Sequence, residues 1–179
     1  MTGVHPGIQA RICQLNSKAL FVLCTNHSLS LFEVHSFATV PLCGTFWGTL
    51  ESLHVFFSGS THILTILLIN VEVTVKRLSE TRYSAHYKAV RPVFKCFKKN
   101  VDAIEEVCYA SETIETRGAA QTLLPAMCDF SFLCFLYLWS NVLKEVNHIQ
   151  KYLKILGISF EKFVIKMRSL KFFFKDKKK

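Results

Sequence analysis

Carboxylates are scarce in this sequence. Only 13 Asp and Glu stand against 22 Lys and Arg, a formal net charge of +9 over 179 residues. That leaves little material for paired acid–base work, and the one acidic cluster, Glu105 and Glu106, falls on an ordinary helix face. Turn-formers are also few, with 7 Gly and 4 Pro. No phosphate-binding glycine loop, no nucleophile elbow and no His-Glu-x-x-His occurs, and no Gly/Ser- or Pro-rich linker divides the chain. Long apolar runs are missing too. The runs from Ile63 to Val71 and from Phe130 to Trp139 are short, against the roughly 20 residues a helix needs to cross a bilayer, so both read as core and no membrane is expected. The N-terminus lacks a charged segment followed by an apolar run and a small-residue cleavage site. With an odd, scattered set of 7 Cys, this points to a reduced, intracellular setting.

What is present is apolar mass and positive charge. Half the residues are hydrophobic and 16 are Phe, which excludes disorder and requires a core or a buried interface. The excess of cations favours polyanions, nucleic acid or an anionic membrane face. Periodicity is mostly helical. "ALFVLC" (Ala19 to Cys24) reads as a buried strand, and "VEVTV" (Val71 to Val75) as an edge strand or a helix end. From Ser84, Ala85, Ala89, Val93, Phe97, Val101, Ile104 and Cys108 recur at steps of three and four, predicting an amphipathic helix that Pro92 kinks or delays. Its outer face carries Lys88, Arg91, Lys95, Lys98 and Lys99 before Asp102, Glu105 and Glu106, against the order the helix dipole prefers. This is either a solvated face or a phosphate-contacting ridge. Pro125 marks a kink or a helix start, and Met127 to Ile155 reads as one long helix, buried nearly all round at first and then amphipathic through Leu143, Val146, Ile149 and Leu153. Ser159 is expected to cap a last helix whose stripe is Phe160, Phe163, Val164, Met167 and Leu170.

Cys24 and His27 stand three positions apart. Zinc would need two further ligands from residues such as Cys43, His54 or His62, none of which forms a second spaced pair. A Cys–His nucleophile pair would need a group to orient the histidine, and none is evident. The plain reading has Cys24 ending a strand and His27 bonded to nearby backbone. No metal and no cofactor is expected.

The stretches "GIQARICQLNSKALFVLCTNHSLSL", "LESLHVFFSGST", "TVKRLSETRYSAHYKAV" and "ETRGAAQTLLPAMCDFSFLCFLYLWSNVLKEVNHIQKYL" resemble the transposase-derived region of zinc finger MYM-type proteins, members of the hAT transposase superfamily. The resemblance implies a mainly α chain. It comprises a truncated piece of a ribonuclease H-like α/β domain at residues 1–35, holding the Cys-x-x-His element at Cys24 and His27, then part of a helical insertion domain at residues 36–179. It also aligns Arg82 with a family Arg, and Tyr83 with a Trp that serves as a platform for an extruded base. The family cleaves DNA with an Asp-Asp-Glu set that holds two divalent metals. By the resemblance, those acids and the family's zinc fingers lie outside this chain. The expectation is therefore a catalytically inactive fragment, nuclear in location. It would bind DNA without sequence preference through Arg82, Tyr83, Lys88, Arg91, Lys95, Lys98 and Lys99, or pair with a related transposase-like protein. The alternative is a non-enzymatic helical protein–protein interaction module. As a fragment it is expected to leave uncovered the apolar faces, such as "LHVFF" and "FLCFLYLW", that the missing sheet or remaining insertion helices would cover.

Overall fold

The computed structural model describes residues 7–16, 18–19, 41–70, 76–78, 83–109, 113–154 and 159–176. Among these residues there is no strand. The described elements are α1 (Ile8–Leu15), α2 (Pro41–Ser58), α3 (Thr61–Asn70), α4 (Tyr83–Lys95), α5 (Phe97–Tyr109), α6 (Ile114–Cys128), α7 (Phe130–Leu153) and α8 (Phe160–Asp176). The mainly helical class follows directly. "ALFVLC", "VEVTV", Cys24 and His27 lie outside or almost wholly outside the described residues, as does most of the proposed 1–35 segment.

Local chemistry sets most of the helix ends. α2 opens on Pro41, whose missing N–H costs least in a first turn. It stops before Gly59, where an added Cβ would lie 3.2 Å from the Val55 carbonyl oxygen. Ser60 Oγ then accepts from His62 N at 3.2 Å to start α3. Thr113 caps α6 by accepting from Thr116 N, with Glu115 in the first turn on the favourable side of the dipole. Ser159 caps α8 through Lys162 N at 3.4 Å, as its sequence predicts.

The core is built around α2, which packs on α3, α6 and α7, while α5 closes against α3 and α6 and α4 lies across α5 and α7. Phe46, Leu50, Leu53 and Phe57 of α2 are buried among Ile63, Val93, Ile104, Leu123, Met127, Leu143 and Val146. Each such side chain removed from water contributes on the order of 1.5–3 kcal/mol. α8 joins through α7. Leu170 is its one fully buried hydrophobe, and Lys166 sits 5.1 Å over the Tyr152 ring. Of its expected stripe, Phe160 is exposed and Phe163, Val164 and Met167 are half-buried.

Two helices expected to be continuous are divided. The first break falls at Cys96, four residues beyond Pro92. The proline has no N–H for the preceding turn and its ring crowds the carbonyl four residues back, yet the helix continues to Lys95 before turning. Hydrogen bonding bridges the turn: Cys96 N donates to the Pro92 carbonyl at 3.0 Å, and the Cys96 carbonyl accepts Asn100 N at 2.9 Å and Asn100 Nδ2 at 2.8 Å. The second break falls at Asp129. Its Oδ2 accepts from Ser131 N at 2.8 Å and Phe132 N at 3.3 Å, so the carboxylate starts a new helix where the apolar pattern runs on unbroken. Met127 thus belongs to the last turn of α6, Pro125 lies inside that helix, and α7 begins at Phe130.

Burial around the start of α7 also differs from expectation. Its first turns are not enclosed: Phe130 is 79% exposed, Tyr137 61% and Leu138 40%. "LHVFF", by contrast, is largely covered, with Leu53, Phe56 and Phe57 in the core and only Val55 facing outward. Among the described residues no single helix is long and apolar enough to cross a membrane. α6 and α7 together reach the length and composition, but they are bent by 68° at Asp129.

Candidate nucleic-acid interface

Helix α4 is oriented by its buried edge. His86 lies in the core with its ring edge-on to Trp47 at 4.9 Å, and Trp47 in turn meets Trp139 at 5.8 Å, tying α4 to α2 and α7. Ala89, Val90 and Val93 are buried on the same side. At about 100° per residue, that inward face turns Lys88, Arg91 and Lys95 outward at steps of three and four, one column along the helix.

These three cations line a groove of about 380 Å³ together with Lys76, Tyr87, Pro92 and Cys96. The Arg91 guanidinium lies over the Tyr87 ring, 5.6 Å from its centroid, within cation–π reach of roughly 6 Å. Lys76 arrives from a different part of the chain. Residues 76–78 are fastened to α2 by Glu51, whose Oε2 accepts from Leu78 N at 3.2 Å and whose Oε1 lies 3.6 Å from Arg77 Nε. Among the described residues no carboxylate lines the groove. Arg91 and Lys95 stand four positions apart, and like charges at that spacing on a helix cost about 0.2–0.5 kcal/mol. A bound polyanion would relieve this repulsion.

Of the residues expected to form a basic surface, Lys88, Arg91 and Lys95 are brought together. Lys98 and Lys99 are exposed in the first turn of α5, beyond the break at Cys96, and do not line the groove. Tyr83 is the first residue of α4, while Arg82 lies outside the described residues. Lys76, Tyr87 and Glu51 were not anticipated. Tyr87 had a usable signal, since it precedes Arg91 by four helical positions.

A second surface is apolar. Leu42 of α2 and Phe130, Ser131, Cys134, Phe135 and Leu138 of α7 line a shallow groove of about 260 Å³. Burial pushes the Cys43 thiol up, with a hydrogen bond from Trp139 acting weakly against it, and burial plus the nearby Glu105 charge raises Cys108. No group of three or more His, Cys, Asp or Glu that could hold a metal occurs among the described residues. Comparison with protein-family models, curated proteins and solved structures finds no match to this chain.

Proposed function

We propose that this chain is a non-catalytic, sequence-nonspecific nucleic-acid-binding module, the helical insertion part of a hAT transposase-like protein with a ribonuclease H-like domain, acting in the nucleus. The observation that carries the binding reading is the groove: Lys76, Lys88, Arg91 and Lys95 converge on one concavity, and among the described residues no acid lines it. Such a cluster of cations suits phosphates. DNA retention measured against salt tests it. Counterion release predicts a steep linear fall of log affinity with log salt, and retention that ignores salt would rule it out.

A second reading has one specific observation behind it. Phe130, Leu133, Tyr137 and Leu138 form an outward apolar stripe on α7, with Leu42 beside it. That is how a helix–helix docking face looks, and it supports a protein–protein interaction module whose partner would be a related transposase-like protein. Replacing Tyr137 and Leu138 with Lys would abolish such association and leave salt-sensitive DNA retention intact.

A further inference from the structure

We infer that the α4 groove receives an unpaired nucleotide strand, one base lying on the Tyr87–Arg91 stack while Lys76, Lys88 and Lys95 take flanking phosphates. This rests on the nucleic-acid reading above and narrows it to a substrate class.

Three features of the groove carry the inference. Its volume of about 380 Å³ is near the lower end for ligand clefts, roughly 300–1,000 Å³. That is room for a base and part of its backbone, whereas a duplex would rest on the rim. The groove is also more than a patch of charge. Tyr87 and Pro92 line it together with the cations, and apolar surface contributes nothing to phosphate contacts. A base inside a duplex has both faces covered by its neighbours and cannot use a ring or guanidinium plane; an unpaired base can. Finally, Lys88, Arg91 and Lys95 extend over about 10 Å of helix axis, with Lys76 contributed by a separate segment, so a strand passing the stack meets cations on either side of the base it leaves there.

The experiment uses the full chain and fluorescence anisotropy at roughly 50 mM salt, with oligo-dT and oligo-rU strands of about 12 nucleotides and a DNA duplex of the same length. The single strands should bind about fivefold or more tightly than the duplex. Arg91→Lys keeps the charge and loses the planar stacking surface. It should weaken single-strand binding by about fivefold, the lower range of one lost stacking contact, and weaken duplex binding by less. Tyr87→Phe should preserve single-strand binding, and Tyr87→Leu, checked for an intact helical spectrum, should lower it like Arg91→Lys. A duplex bound as tightly as the strands, or an Arg91→Lys variant that loses nothing, overturns the inference while the nucleic-acid reading survives. Absence of binding to all three probes overturns both.

Discussion

Glu51 and Leu78 are 27 positions apart in sequence, yet the Glu51 carboxylate accepts the Leu78 backbone N–H at 3.2 Å. This bond holds residues 76–78 against α2 and so sets where Lys76 meets the groove. The accompanying ion pair to Arg77 involves a guanidinium that is 79% exposed, and such pairs contribute little. Glu51→Gln keeps the shape and weakens the charge-assisted bond. The expected loss is about 1 kcal/mol, a fall in Tm of roughly 2–4 °C for a chain of this size, together with weaker DNA binding. Arg77→Gln should leave the Tm within about 1 °C. Calorimetry on the two variants separates the contributions, and equal effects would assign the anchor to the ion pair.

Cations inside and outside the groove should not be equivalent. Replacing Lys88, Arg91 and Lys95 together with Gln should reduce the slope of log affinity against log salt by about 2–3, at roughly 0.7–0.9 per phosphate contact. Replacing Lys98 and Lys99 should reduce it less, and replacing Lys177, Lys178 and Lys179 least. Identical losses from the three sets, read by salt-gradient elution from immobilised DNA, would mean that charge acts diffusely.

Asp129 divides α6 from α7 by capping the latter through Ser131 N and Phe132 N. Asp129→Ala should therefore cost about 1 kcal/mol, roughly 2–4 °C in Tm, whereas Asp129→Asn should retain most of it. A fully tolerated alanine in thermal melts would show that packing alone enforces the 68° bend.

A buried thiol, Cys43, and a half-buried one, Cys108, make stability sensitive to alkaline pH. Cys43 and Cys108 both lie above the ordinary thiol value of 9.0 in the folded chain. The folded state therefore holds these protons after the unfolded chain has begun to lose them. The stability they contribute is complete below about pH 9 and is lost as pH rises through the folded values. Melts at rising pH should show this decline, and Cys43→Ala with Cys108→Ala should flatten it. Alkylation at neutral pH followed by mass spectrometry should modify exposed Cys13, Cys128 and Cys134 before Cys43.

The helical class, the inward faces of the longer helices and the basic column were all legible in the residues alone. Leu143, Val146 and Ile149 recur at helical spacing and are all buried, and Lys88, Arg91 and Lys95 fall outward because Ala89 and Val93 fall inward. Those are properties of a 3.6-residue period, and a local period is readable from local residues. The divisions at Cys96 and Asp129 were not legible in that way, because the apolar pattern runs across both points unchanged and an aspartate acts as a cap only where the chain turns beside it. The exposure of Phe130 and Tyr137 was likewise set by which neighbours arrive to cover them. The groove needed both levels. Periodicity supplied one wall, and the other depends on Glu51 capturing a backbone N–H far along the chain, a contact between segments whose separation leaves no periodic trace in the residues themselves.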